Sequence, residues 1–126
     1  MSEGKDLQFS MLLDFYGAVL TEKQRDVMEL YYNEDLSLGE IAEHENITRQ
    51  GVRDSIKRGE AQLTEMEEKL QMLQSFQELG ELLPKISALS AQIFDENDRH
   101  KYSKTIERAA EEIRLLADRY MEKYFN

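Results

Sequence analysis

The side chains with the most chemistry to offer lie close together in this sequence. Between Thr48 and Arg58 stand Arg49, Gln50, Arg53, Lys57 and Arg58. Arg can grip guanine O6 and N7 with two hydrogen bonds, Gln can do the same for adenine, and Lys or Arg neutralises phosphate. On a helix starting at Thr48 and entering a major groove by its amino end, Arg49, Gln50, Arg53, Asp54 and Lys57 would face bases and backbone. Thr48, Arg49, Gln50, Arg53, Lys57 and Arg58 are therefore the candidate nucleic-acid contacts. The same residues also make a solvated helix face, on which Asp54 and Arg58 stand at i,i+4 and would pair for a few tenths of a kcal/mol. A basic edge of this size also suits an acidic protein surface.

Other constellations lead nowhere. His44 and His100 are far apart, with no second ligand three or four residues on, so no metal site is expected. Asp95-Glu96-Asn97-Asp98 opens like a calcium loop, but Arg99 stands where a third oxygen ligand belongs and the glycine is missing; a loop that caps the last helix accounts for it. Glu60, Glu65, Glu67 and Glu68 fall on the polar face of a helix, where Lys69 can pair with Glu65. Without cysteine there is no disulfide, thiol nucleophile or thiolate zinc site. There is no Gly-rich phosphate loop and no Ser/His/Asp set. The expectation is a non-enzyme with no cofactor, its tyrosines in core or interface.

The elements that must position the cationic residues announce themselves by caps. Thr21-Glu22-Lys23-Gln24 and Ser37-Leu38-Gly39-Glu40 each fit a capping box, and Thr48 supplies a third Ser/Thr cap. A further helix precedes them, because Phe9, Leu12, Leu13, Tyr16, Val19 and Leu20 recur with helical spacing. From Ser37 to Ile56 the pattern is that of a helix-turn-helix. Ala42 allows a close crossing, Asn46 tolerates a left-handed turn, and Ile41, Ile47 and Val52 form the packing triangle.

The helix from Thr48 then continues as a heptad seam, Val52, Ile56, Gly59, Leu63, Met66, Leu70 and Leu73. Pro84 makes Leu83 an expected boundary. A short segment from Lys85 to Phe94 follows, and a second seam runs through Tyr102, Ile106, Ala109, Ile113, Leu116 and Tyr120. Two seams ask for partners, either each other, folded antiparallel across Pro84, or a second subunit. Leu63, Met66, Leu70, Leu73, Ile106, Ile113, Leu116 and Tyr120 are the expected seam of tail packing or of a homodimer.

Composition agrees with an all-α chain. The 126 residues hold one proline, 40% apolar and 33% charged residues, with a net charge of -10. That charge disfavours a generally basic nucleic-acid binder, but it is unevenly spread. Residues 46–62 carry four cations and two anions, a local +2, and the other 109 residues carry -12. No stretch of about 20 apolar residues and no signal-peptide core is present, so neither membrane insertion nor secretion is expected and the cytoplasm is the expected compartment.

These residues carry a resemblance. Leu20 to Leu63, with L-T-E-K-Q-R, E-L-Y-Y, L-S-L-G-E-I-A-E and T-R-Q-G-V-R-D-S-I-K-R, resembles the fourth conserved region of primary sigma factors. The run D-F-Y-G-A-V-L-T-E-K-Q-R and the acidic E-E-K-L are similar to the YlxM family of small bacterial helix-turn-helix proteins, whose genes sit beside those of the signal recognition particle GTPase Ffh or its receptor FtsY. The resemblance implies a sigma region four-like or winged-helix-like helix-turn-helix domain over residues 1–73 and a helical extension over 74–126. It also implies an accessory role toward Ffh, FtsY or the particle's RNA. A dimeric, duplex-DNA-binding transcriptional regulator is the other reading.

Overall fold

The computed structural model describes residues 5–125; residues 1–4 and 126, and with them part of the charged amino terminus, lie outside the described residues. Six α-helices and one 3-10 turn make up the fold, and the described residues contain no strand. They are α1 (Leu7–Tyr16), a 3-10 turn (Gly17–Val19), α2 (Glu22–Tyr32), α3 (Leu38–Glu45), α4 (Arg49–Leu70), α5 (Met72–Arg99) and α6 (Lys104–Tyr124). The chain divides into two compact units between Gln74 and Ser75.

In the first unit the caps fall where sequence places them. Ser37 and Glu40 form a complete capping box, the Glu40 N–H donating to Ser37 Oγ at 3.1 Å and the Ser37 N–H to Glu40 Oε1 at 3.0 Å. The Ser37 N–H, and after it the Ser37 hydroxyl, hold the Glu40 carboxyl below its ordinary pKa. Thr48 accepts from the Gly51 N–H at 2.9 Å. The Thr21 box is only half made: Thr21 accepts from the Gln24 N–H, but the Gln24 side chain donates to the Ser55 carbonyl on α4 instead of reaching back. A tertiary partner outcompetes the local one. Asn46 ends α3 in the left-handed region at φ 57°, and the Ile47 N–H returns to the Ala42 carbonyl at 3.0 Å, closing the turn before α4.

The amino half of α4 is the spine of this unit, packed by α1, α2 and α3. Val52, Ile56 and Leu63 point into a core with Leu12, Leu13, Val27, Met28 and Ile41. Gly59 marks the tightest approach, since a Cβ there would stand 2.8 Å from Met28 Sδ.

The expected helix through Leu73 does not form as one rod. α4 stops at Leu70, Gln71 turns left-handed at φ 54°, and α5 begins at Met72. The cause is a polar joint that heptad spacing does not reveal. Tyr16 Oη donates to Glu67 Oε1 at 2.7 Å and accepts from the Met72 N–H at 3.0 Å. Glu67 also accepts from the Leu73 and Gln74 N–H groups, each at 3.0 Å. Together the two side chains take three of the four amide donors that a new helix start leaves without an intrahelical acceptor. Burial and the adjacent carboxylate push the Tyr16 hydroxyl pKa up. Burial pushes the Glu67 carboxyl upward too, but its three hydrogen bonds outweigh that and leave it lowered. Leu73 then belongs to the core of this unit, Met66 packs beside it, and Leu70 stays exposed.

The second unit is an antiparallel hairpin of α5 and α6. Ser87 Oγ donates to Asp118 Oδ1 at 2.7 Å, Ser90 Oγ donates to the Ala110 carbonyl, and the Phe76 and Phe125 rings stack at 4.3 Å. Two sequence expectations are corrected here. Pro84 lies inside α5 and does not bound a segment; its residue at i-4 is Gly80, and α5 is held on one side of it by Phe125 against Gly80 and on the other by Asp118 of α6 bonded to Ser87. Asp95–Asp98 is the end of α5, so the hairpin turns after Arg99 and not at Pro84. Asn97 donates to the Ser103 carbonyl at 2.8 Å and accepts from the Ser103 N–H at 3.0 Å. Ser103, not the acidic run, caps α6 through the Ile106 N–H.

Candidate functional site

The amino half of α4 carries the candidate residues, and its geometry sorts them. With Val52, Ile56, Gly59 and Leu63 buried on one side, the 100° per residue of an α-helix places Arg49, Arg53 and Lys57 along one solvent-facing stripe, with Gln50 beside it. All four are exposed. Arg58 does not join them. It lies across Asp54, at the rim of an open groove of about 760 Å³ lined also by Lys23, Gln24, Ile47, Gly51 and Ser55.

Each member is held differently. Thr48 fixes the helix start through its cap, accepting from the Gly51 N–H. The Arg49 guanidinium lies over Gly39 of α3, where a Cβ would come within 3.0 Å of Nη2. The absence of a side chain at Gly39 therefore gives Arg49 its seat across the two helices of the motif. Gln50 donates to Asp54 Oδ1 at 3.0 Å. That replaces the expected Asp54–Arg58 pair, and it occupies the Gln50 amide that would read adenine. Arg53 and Lys57 have no ion-pair partner among the described residues. Next along this side, Glu60 accepts from the Tyr32 hydroxyl, whose pKa burial and that carboxylate drive up. Glu60 is thus turned toward α2.

Such an arrangement can do one kind of chemistry. Two free cations and a seated arginine over about two helical turns can neutralise phosphates or carboxylates at a spacing fixed by a rigid helix. His44 and His100 lie in separate units, each beside an adjacent glutamate, and no three metal-ligating side chains stand together among the described residues. No helix among the described residues is long and apolar enough to cross a membrane.

Of the seam residues, Leu63, Met66 and Leu73 are consumed in the first unit. Ile106, Ile113, Leu116 and Tyr120 remain 41% to 58% exposed, while Ala110 and Ala117, interleaved with them at i,i+3 and i,i+4 spacing, are the buried residues of α6. Sequence reasoning also missed Lys5, whose Nζ donates to the Tyr31 and Leu36 carbonyls at 2.8 and 2.9 Å and pairs with Asp35 at 3.1 Å. A lone lysine in a polar amino-terminal stretch gives no signal of that.

Residues 3–107 match the family model UPF0122, described as "Putative helix-turn-helix protein, YlxM / p13 like". The chain belongs to this family. UPF0122 proteins of Bacillus cereus strain AH187, Bacillus anthracis strain A0248 and Bacillus thuringiensis subsp. konkukian strain 97-27 are each 50% identical to it over 97 residues, 77% of this chain and 88% of theirs. The family match takes in both helices of the motif, the Arg49–Lys57 stripe and the Tyr16–Glu67 joint. It ends at Glu107, in the first turn of α6.

Proposed function

We propose that this UPF0122 protein is a regulatory or accessory component of the signal recognition particle pathway, acting as a binding protein and not as an enzyme. Its α4 stripe would meet the particle's RNA or a protein surface of Ffh or FtsY. The resemblance to the YlxM family, whose genes neighbour those of Ffh and FtsY, supports the pathway. The observation that carries the mode of action is the small size of the stripe: Arg49, Arg53 and Lys57 are its three exposed cations, in a chain of net charge -10.

Three cations decide between targets by magnitude. Neutralising about three phosphates makes log K fall with log salt at a slope near -2 to -3, far short of a protein that lives on duplex DNA by its phosphate contacts. Affinity for arbitrary duplex is then weak at physiological salt, and shape or protein contacts must supply the remainder. The second reading, a DNA-binding regulator, is favoured by one observation: the stripe lies at the amino end of the second helix of a helix-turn-helix, the place from which such helices reach base edges.

Affinity capture of the tagged full chain from its own cells separates the two. Ffh, FtsY or the particle's RNA in the eluate, lost with Arg53→Ala and Lys57→Ala together, supports the first reading. Duplex DNA lost with the same pair of changes replaces it with the second.

A further inference from the structure

The hairpin has its large apolar side chains on the wrong side for a hairpin that stands alone. Between α5 and α6 the buried residues are Ser90, Asn97, Ala110 and Ala117, and no large apolar side chain of residues 75–125 is fully buried. The fully buried positions of the hairpin are thus small or polar, and its large apolar side chains, Phe76 and Phe125 among them, are partly buried or exposed. Meanwhile Leu82, Leu89 and Ile93 on α5 are 51%, 58% and 48% exposed, and with Ile86 they form a 4-3-4 stripe. On α6, Ile106, Ile113, Leu116 and Tyr120 form a matching stripe, also about half exposed.

Helix geometry puts both stripes on one side. On each helix the stripe is centred about 60° round, in the same sense, from the buried residues that face the other helix. Because α5 and α6 run antiparallel, the two rotations carry the stripes to the same face of the hairpin. The result is one apolar sheet of side chains on the order of 600 Å², at the upper end of the roughly 300–600 Å² that the largest patch of a monomer covers. It approaches the roughly 800 Å² per partner of a stable interface.

We propose that this face is the self-association surface of the protein, and that two hairpins pack face to face as an isologous four-helix bundle. Three features of the molecule point to a second copy as the occupant. The area fits a dimer. A two-helix unit in which no large apolar side chain is fully buried gains a closed core when two copies bring their leucines and isoleucines together. The charge also fits: residues 75–126 hold eight Lys or Arg and ten Asp or Glu, a net of -2 out of the chain's -10, and α6 holds five of each sign. A surface built for a strongly basic or acidic partner would be one-sided, whereas a near-neutral mixed surface can meet itself. The family match ends at Glu107, so most of the α6 stripe lies outside it, and the inference rests on the hairpin and not on the proposed pathway.

Sedimentation equilibrium of the full chain tests this. The expected mass is twice 14.8 kDa at micromolar concentration, and Leu89→Glu with Leu116→Glu should return the monomer with unchanged far-UV circular dichroism. A wild-type monomer up to about 100 μM overturns the proposal, as does a dimer that persists in the double variant. If the double variant loses helicity, single-cysteine variants decide, because the chain has no cysteine of its own. At least one of Leu89→Cys, Ile93→Cys, Ile113→Cys and Leu116→Cys should oxidise to a covalent dimer, while Glu111→Cys on the opposite face of α6 stays monomeric. Failure of all four to cross-link, or equal cross-linking by Glu111→Cys, contradicts it.

Discussion

Replacing Glu67 by alanine should destabilise the helix-turn-helix unit far more than a half-exposed glutamate near a helix end would suggest. The Glu67 carboxylate accepts from Tyr16 Oη and from the Leu73 and Gln74 N–H groups. A hydrogen bond to a charged group contributes about 1.5–3 kcal/mol when one partner is removed, and loss of a helix cap costs about 1 kcal/mol. Because the Gln74 end is open to water and the bonds share one acceptor group, about 3 kcal/mol is the expected total. Tyr16→Phe removes the donor to Glu67 and the acceptor of the Met72 N–H and should cost about 2 kcal/mol. The double variant should fall short of the sum by about 1 kcal/mol, since the two side chains share a bond.

The pH dependence follows from the lowered Glu67 carboxyl. A carboxylate whose pKa is depressed on folding adds stability above its unfolded pKa, and that stability is lost as pH falls through the folded value. The wild type should therefore lose stability on acidification more steeply than Glu67→Gln, whose amide cannot titrate. Urea unfolding followed by circular dichroism at several pH values measures all of this. A Glu67→Ala cost below about 0.5 kcal/mol, or strict additivity with Tyr16→Phe, would refute the joint as the reason the rod breaks at Gln71.

Two further outcomes follow from close approaches and left-handed backbone. Gly59→Ala gains up to about 1 kcal/mol of helix propensity but drives a methyl into buried Met28, an overpacking cost of about 1–3 kcal/mol; a net loss near 1 kcal/mol is expected in urea melts. Asn46→Val should cost about 1–2 kcal/mol at its φ of 57°, while Asn46→Gly should stay within about 0.5 kcal/mol, both read from thermal midpoints.

The legible parts of the fold were those governed by local chemistry. Ser37, Glu40, Thr48 and Asn46 act within four residues of themselves, so their type and spacing state their role, and the helix-turn-helix follows from them. The breaks at Gln71 and through Pro84 were misread because distant groups decide them. Gln71 turns because Tyr16, 55 residues earlier, offers its hydroxyl to the start of α5. Pro84 stays helical because Ser87 and Gly80 meet Asp118 and Phe125, far along the chain. On α6 the large residues repeat at heptad spacing, but within the chain only the smaller Ala110 and Ala117 interleaved with them are buried, which spacing alone does not show because it does not say how far a second helix covers the row. In the candidate site the residue types were readable and their separation was not, because only the folded helix shows Arg58 turned away and Gln50 engaged with Asp54.

The most direct test of the proposed role is a titration of purified full-length protein against the reconstituted signal recognition particle, and against random duplex DNA of similar length, at 0.15 M salt. The particle should bind at least about tenfold more tightly than the duplex. Arg53→Ala with Lys57→Ala should weaken that binding by about tenfold and flatten its salt dependence by roughly two phosphate contacts. Equal affinity for random duplex, or unchanged particle binding by the double variant, would contradict the account.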